Sequence, residues 1–278
     1  MHAEELIALA IPATYLVLLA LEPRLGGRSF PPTRWWRLRG TGWVVLLLAI
    51  NAVLPSLLPQ DWPARHRLLD LSSLGTAGGA LVGYLGVSLA AYWFHRAEHR
   101  FLPMWRLLHQ LHHSPQRMDL GGAALTSPLE TAISVALFVL VTTFVLGITP
   151  LAAAVCGYVG AFYSMFQHFN VRTPRWLGYL IERPEAHTLH HARDIHAANY
   201  GDLPLWDLVF GTFRNPDRYD GEVGFPSQAS RRVGAMLLGV DVNGDQPFGR
   251  PAGMPVDALP GVSSGALRAA AAPSSVRG

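Results

Sequence analysis

Five stretches of the chain are almost wholly apolar and are separated by polar connections rich in Arg and Pro. Each is close to the length of about 20 residues that lets a helix cross a hydrocarbon core of about 30 Å. The pattern therefore predicts an all-α fold, a polytopic membrane helix bundle with about four to five transmembrane helices. The stretches cover residues 4–22, 41–58, 74–94, 128–147 and 150–168.

The second stretch is the weakest of the five, because Asn51 and Pro55 interrupt it. It either crosses the membrane or lies partly in the interface, and we expect five crossings. A charged fraction of 15% and a mean hydropathy of +0.23 also indicate a membrane protein. Glu4 and Glu5 precede the first stretch where a signal peptide would carry basic residues, so we expect that stretch to stay attached.

All basic residues are Arg, and their distribution predicts the orientation of the bundle. Of the 22, only Arg65 and Arg67 lie in connections that the five stretches place on the side of the N-terminus. The positive-inside rule assigns the other side to the cytoplasm, as in a bacterial inner membrane or its equivalent. Topology explains the pI of about 9.3 better than a nucleic-acid partner does. The Arg-rich segment 24–39 is either an interfacial anchor or a solvated loop.

Small residues in the third and fifth stretches indicate close helix packing. The single cysteine, Cys156, lies inside the fifth stretch, so no intramolecular disulfide is possible and packing is the expected role. Five glycines of the third stretch also favour close helix approach over ligand binding. These glycines are Gly75, Gly78, Gly79, Gly83 and Gly86.

Nine of the twelve histidines form a pattern that predicts metal binding. By composition, a histidine is followed by histidines at both +3 and +4 about once in 500 cases, and this chain has two such cases. Residues three and four apart share one helix face, so each group directs several imidazoles to one point. His2 and His66 lie outside the pattern. The four groups are His95 with His99; His109 with His112 and His113; His168 alone; and His187 with His190 and His191.

The predicted topology brings all nine histidines to the cytoplasmic side. His95 directly follows the third apolar stretch, and His168 ends the fifth. Residues 107–113 have helical spacing and end at a Ser-Pro pair, and Pro184 marks a helix start before the last group. We therefore expect a cytosolic helical cap that carries a histidine-rich site for two metals.

The number of imidazoles indicates two metal ions, because one ion takes about four ligands. Nitrogen-rich sites with an open position suit iron. Zinc and copper bind imidazole more tightly, so zinc is a possible occupant after purification.

The histidine spacing resembles that of the fatty acid hydroxylase superfamily, also called the sterol desaturase family, of integral-membrane di-iron oxygenases. Residues 167–172 and 199–212 support this resemblance, which covers about residues 84–214. It implies two Fe ions, O2 as co-substrate, and hydroxylation or desaturation of a lipid C–H bond. It also implies that the nine histidines are the iron ligands: His95, His99, His109, His112, His113, His168, His187, His190 and His191.

Polar residues near the histidines are candidates to accept the second ring N–H of a ligand. His196 is expected to support the site in this way and not to be a tenth ligand. Ser127 stands before a proline where many relatives have His, which leaves no additional ligand there. The candidates are Glu98, Asp119, Asn170, Asp194, His196 and Asn199.

The chain divides into three predicted regions: 1–72 with the first membrane segments and the basic loop, 73–214 as the catalytic domain, and 215–278 as a largely disordered extension. It lacks the His-Pro-Gly-Gly core of cytochrome b5 and any flavin or nicotinamide fingerprint. We therefore expect a separate electron donor, a ferredoxin or a cytochrome b5-like protein with its reductase, that docks on the basic cap.

The alternative function is a histidine-rich membrane metal transporter or metal-binding protein. Transporters place their ligands near the bilayer midplane, whereas these histidines lie at and beyond the helix ends. A catalytically inactive relative is a third possibility, although every histidine group is intact. The motifs do not decide between hydroxylation and desaturation, nor among sterol, fatty acyl, sphingolipid, ether lipid and carotenoid substrates.

Overall fold

The computed structural model describes residues 2–59, 62–193, 195 and 197–243. Across these ranges the chain is mostly helical and contains no β-strand. Two isolated bridges, Gly26 with Val171 and Ala192 with Val223, are the β-type pairings found within them. The predicted all-α class is therefore confirmed.

Five long helices form the bundle. By length and composition, four segments could cross a membrane: Ala3–Leu25, Trp36–Ser56, Ser72–Glu98 and Pro128–Val145. The fifth predicted crossing is a helix that is not among these four candidates. We name the helices α1 (Ala3–Leu25), α2 (Trp36–Ser56), α4 (Gly75–Glu98), α7 (Pro128–Val139, continued by a π-helical turn Leu140–Val145) and α8 (Pro150–His168), with the short α3 (Trp62–His66) between α2 and α4.

The second apolar stretch forms an uninterrupted helix. The Asn51 side chain donates to the carbonyl of Leu47, 2.8 Å away, and so satisfies its own polar group within α2. Pro55 lies in the last turn, where it interrupts little. Neither residue breaks the helix in the way that the sequence suggested.

Small residues let α4 and α8 pack closely. A Cβ atom added at Gly79 would lie 2.9 Å from the Cβ of Ala152, and one at Gly83 would lie 2.7 Å from Ile148 Cδ1. Cys156 is buried near Gly83. The predicted packing role of Gly79, Gly83 and Cys156 is confirmed, and the contact holds α4 and α8 together near their starts, whereas Gly75 meets nothing within 4 Å.

Short elements cover one end of the bundle. Prolines begin α9 and α10 at the first helical position, as Pro128 and Pro150 do for α7 and α8. We call this set of elements the cap: α5 (Leu102–Met104), a π-helical turn (Trp105–His109), α6 (Leu120–Ala123), a 3-10 turn (Arg175–Tyr179), α9 (Pro184–His190), α10 (Pro204–Phe210), α11 (Ser227–Ser230) and α12 (Val233–Leu237).

The helix expected over residues 107–113 differs from the prediction. The helical segment begins earlier, at Leu102, and widens into the π turn, in which Gln110 N donates to the carbonyl of Trp105, 2.8 Å away. Tight turns through residues 110–113 follow. Such π turns are frequent at functional sites because they redirect side chains.

Part of the C-terminal region packs on the cap. Phe225, Met236 and Val242 form one apolar cluster with Trp105 and Leu111. The largely disordered extension is predicted over residues 215–278; the structure describes residues 215–243, which include α11 and α12, and residues 244–278 lie outside the described residues.

The N-terminal segments are tied to the cap by polar contacts. The buried carboxylate of Glu22 in α1 accepts from Leu120 N at 2.9 Å and from Asn170 N at 3.2 Å. The indole of Trp36 at the start of α2 donates to Asp119 Oδ1, 2.7 Å away. These bonds hold the segment that follows the second histidine group and the segment that follows His168.

Candidate metal centre

The nine histidines that the sequence singled out converge at the boundary between bundle and cap. Helix α4 ends in the first pair, the π turn and the residues after it carry the second group, α8 ends in His168, and α9 carries the last group. Eight of the nine are buried, and His95 is partly buried. Structure and sequence therefore place the same residues together.

The histidines divide into two sets, each with ligand atoms within 4.8 Å of one another. We call them the five-histidine cluster and the four-histidine cluster. The first comprises His95, His99, His109, His113 and His190, and the second comprises His112, His168, His187 and His191. No histidine of the predicted nine is left over.

Each His-x2-His-His motif contributes to both clusters. His109 and His113, four residues apart, enter the five-histidine cluster, while His112 enters the other. In the second motif, His187 and His191 enter the four-histidine cluster. Residues at i and i+4 lie on one helix face, so the middle histidine points to the neighbouring set. The spacing thus makes two adjacent sites from two short segments.

The clusters are in direct contact. The imidazoles of His113 and His191 stack with ring centroids 4.1 Å apart and planes 11° apart. Those of His187 and His190 are also nearly parallel, 5.2 Å apart. Ions in the two clusters would therefore be close neighbours.

Within each cluster the Nε2 atoms face one another. The separations are 3.2 Å for His95 and His99, and 3.1 Å for His109 and His113. In the four-histidine cluster, His168 Nε2 lies 3.1 Å from that of His112 and 3.2 Å from that of His187. Nitrogens bound at about 2.1 Å to one metal stand about 3.0–3.4 Å apart, so these separations fit a shared ion.

Backbone carbonyls fix the tautomers of three rings. Nδ1 of His95 donates to Tyr200 O at 2.8 Å, that of His168 to Ser164 O at 2.7 Å, and that of His190 to Ala198 O at 2.7 Å. A carbonyl only accepts, so in each ring Nδ1 carries the hydrogen and Nε2 keeps its lone pair. This is the arrangement that metal-binding histidines have.

Burial keeps the cap histidines neutral. Loss of solvation, together with the neighbouring imidazoles, lowers the pKa of His112, His113, His187 and His191 well below the ordinary value. The rings are therefore uncharged at pH 7, with lone pairs available. The donor set is rich in neutral nitrogen, which suits iron, copper or zinc and not magnesium or calcium.

Two buried carboxylates support the five-histidine cluster. His109 Nδ1 donates to Glu130 Oε1 at 2.9 Å, and Glu98 Oε2 lies 3.6 Å from the same nitrogen. Glu98 was among the predicted supporting residues, whereas Glu130 was not. The sequence did contain a signal for Glu130. Placing a carboxylate within an otherwise apolar membrane span costs free energy, so such a residue indicates a functional site.

The other predicted supporting residues take different positions. Asp119 binds Trp36 and Arg117, and Asn170 binds the backbone of Arg28. Asn199 adopts a φ of 58° and bonds the carbonyl of Ala186 and the backbone of Arg214. In the part of the chain that the structure describes, these three side chains bond tryptophan, arginine or backbone groups. Asp194 and His196 lie outside the described residues.

The comparisons with known proteins agree with this site. Residues 80–212 match the family described as fatty acid hydroxylase. An ornithine lipid hydroxylase from Rhizobium tropici is 29% identical over 199 residues, which are 69% of this chain and 53% of the relative. Human alkylglycerol monooxygenase is 34% identical over 134 residues, 47% of this chain and 29% of the relative.

A third relative is a very-long-chain aldehyde decarbonylase from Oryza sativa subsp. indica, 29% identical over 167 residues, 54% of this chain and 26% of the relative. The chain thus spans about half the length of the first relative and less than a third of the other two. No solved structure gives a significant match. Residues 80–212, which contain all nine clustered histidines, are a fatty acid hydroxylase domain of the superfamily that the histidine spacing resembles.

Proposed function

We propose that this chain is a membrane-bound, two-iron lipid hydroxylase that uses O2 and externally supplied electrons. One observation carries the proposal: nine histidines form two adjoining imidazole clusters at the ends of membrane helices, inside a fatty acid hydroxylase domain. The five-histidine cluster would hold one iron and the four-histidine cluster the other. Bound iron would supply O2 activation and the oxidation of an unactivated C–H bond.

The protein's contribution is to hold and shield the ligands. Carbonyl acceptors orient His95, His168 and His190, and Glu130 orients His109. The burial of the rings excludes water, which would compete for open coordination positions. Zinc or copper would also fit the donor set, so the choice of iron rests on the family and on the proposed chemistry.

The proposed substrate is a membrane lipid, and hydroxylation is favoured over desaturation. The names of two relatives, ornithine lipid hydroxylase and alkylglycerol monooxygenase, support both the lipid substrate and the hydroxylation. An apolar cavity of about 690 Å³ between α2 and α7 also supports a hydrocarbon ligand. This volume lies in the range of about 300–1,000 Å³ that small-molecule sites occupy.

The cavity begins on α7 beyond Glu130 and extends away from the candidate centre as far as α3. Its walls include Leu54 and Leu58 from the end of α2, and Val135, Ala136 and Val139 from α7. Val135 is five residues past Glu130, which is about 7.5 Å along a helix. A lipid with its reacting carbon near the histidines would therefore have space for its chain along α7.

The proposed orientation places the centre on the cytoplasmic face. All but two of the arginines lie in connections on that side of the proposed topology. A cytosolic ferredoxin, or a cytochrome b5-like donor with its reductase, would deliver electrons there, and arginines of the cap would attract an acidic protein.

The test combines isotope incorporation with metal analysis. Cells with and without the protein are grown under ¹⁸O2, and their lipids are compared by mass spectrometry. The proposal predicts one ¹⁸O atom in a lipid that only expressing cells contain, and iron in the purified protein. Absence of any labelled lipid, combined with zinc uptake into liposomes that contain the protein, would support the transporter instead.

A further inference from the structure

The segment that follows the last histidine group returns along α4 toward the interior of the bundle. The indole of Trp206, near the start of α10, donates to Ser88 Oγ at 2.9 Å. At the other end of α10, the Phe210 ring stacks on Tyr92 with centroids 5.2 Å apart. Helix α10 thus runs alongside α4 from Ser88 to Tyr92.

The contact with Ser88 places α10 well below the end of α4. Ser88 lies ten residues before Glu98, which is about 15 Å along the helix axis. It is also only three residues past Leu85, the midpoint of the candidate span Ser72–Glu98. The start of α10 is therefore at the level of the hydrocarbon core that α4 crosses.

The residues near the end of α4 also indicate this depth for α10. Arg96 lies over the Trp93 ring at 5.3 Å and donates to the hydroxyl of Tyr92 at 3.0 Å. Aromatic rings with an arginine beside them are typical of the membrane interface. Trp206 contacts α4 a full turn farther toward the bundle centre than Tyr92.

The outward face of α10 carries no charge. Its one acidic residue, Asp207, is fully buried and accepts from Tyr200 N, Gly201 N and the Thr212 hydroxyl. The exposed side chains are Leu205, Leu208 and Val209, the last of which is 60% exposed. Exposing this apolar face to water is unfavourable, whereas contact with lipid tails carries no such cost.

An adjoining turn extends the same surface. The 3-10 turn Arg175–Tyr179 packs against α10, and Trp176, Tyr179 and Leu180 are largely exposed. Trp and Tyr are the side chains enriched where a protein meets the membrane interface. The exposed apolar surface of α10 therefore extends onto this turn.

We propose that α10 is a re-entrant element whose Leu205, Leu208 and Val209 face lies in the bilayer, with the Arg175–Tyr179 turn at the interface. The occupant of this surface is lipid. The segment that leads into α10 begins at Tyr200, whose carbonyl accepts from His95. One backbone segment therefore connects the proposed membrane-contacting helix to the five-histidine cluster.

Depth-dependent spin labelling tests this proposal independently of catalysis. In a Cys156→Ala background, Leu208→Cys and Val209→Cys are labelled with a nitroxide and reconstituted in phosphatidylcholine vesicles. Val17→Cys on α1 serves as the lipid-facing control, and Glu222→Cys, on a side chain that is 75% exposed, serves as the aqueous control. Power saturation is measured with O2, which concentrates in lipid, and with a water-soluble nickel chelate.

The proposal predicts that both α10 labels are relaxed strongly by O2 and weakly by the nickel chelate, as at Val17. Nickel accessibility like that at Glu222 would overturn it, and so would labels inaccessible to both reagents, because a protein surface would then cover the face. Retained metal content in each variant shows that labelling has not unfolded the protein.

Discussion

The two histidine clusters differ in ligand number and in what supports them. The five-histidine cluster is supported by two backbone carbonyls and by Glu130, which accepts from His109. Aromatic rings of Trp105 and Tyr200 lie against His99. In the four-histidine cluster, the backbone carbonyl of Ser164 accepts from His168. In an octahedral ion, five nitrogens leave one open position and four leave two, so the proposed four-histidine site has more room for O2 or substrate.

Loss of one ligand should affect the two clusters unequally, and this is the largest expected effect. His168→Ala leaves three rings in its cluster, so bound iron should fall from about two to about one per chain, with activity reduced at least about 100-fold. His95→Ala leaves four rings, and iron should stay near about two. Metal analysis of both purified variants checks this. Equal iron loss in the two variants would contradict the unequal ligand sets.

Glu130→Gln should weaken the five-histidine cluster alone. The amide still accepts from His109 but lacks the charge that makes the ring a stronger ligand, and lost supporting contacts of this kind cost about 10–100-fold in metal affinity or activity. Metal competition titrations give the affinity of each site. Glu98→Gln is the matched variant, and because Glu98 lies 3.6 Å from the ring nitrogen its effect should be smaller. The reverse order would show that Glu98 is the main support.

A bulky residue in the cavity should change chain-length selectivity without changing either metal cluster. Ala136→Phe fills part of the space between α2 and α7, so long-chain lipids should lose about tenfold or more in relative turnover against short ones. Product analysis with a series of chain lengths checks this. Val45→Phe, on the exposed side of α2, is the control and should leave the profile unchanged. An unchanged profile for Ala136→Phe would show that the cavity does not hold the substrate chain.

The smallest effect concerns the helices that carry both clusters. Gly79→Ala places a methyl group 2.9 Å from the Cβ of Ala152, and such overpacking costs about 1–3 kcal/mol. The melting temperature in detergent should fall by several degrees, whereas Gly42→Ala, which meets nothing within 4 Å, should not destabilise the protein. If Gly79→Ala were as stable as the wild type, α4 and α8 would be less tightly packed than the structure indicates.

Much of the bundle and of the candidate site could be predicted from local patterns. Long apolar stretches predict the main helices because length and hydropathy alone decide whether a helix can span a bilayer. Histidines at i and i+4 indicate shared faces, so the grouping of His187 with His191 follows from spacing. These signals lie within a few residues of one another and need no tertiary information.

The supporting contacts could not be predicted in the same way. Every residue has a backbone carbonyl, so nothing in the sequence distinguishes Tyr200, Ala198 or Ser164 as the acceptor for a histidine. Glu130 reaches His109 across 21 positions, and only the fold brings them together. Asp119 and Asn170 are near the histidines in sequence but bond the N-terminal segments.

The most direct test of two unequal metal sites is anomalous X-ray scattering at the iron edge from crystals of the iron-loaded protein. We expect two peaks, one surrounded by His95, His99, His109, His113 and His190, and a second surrounded by His112, His168, His187 and His191. A single peak shared by both clusters, or iron bound away from these nine rings, would contradict the proposed centre.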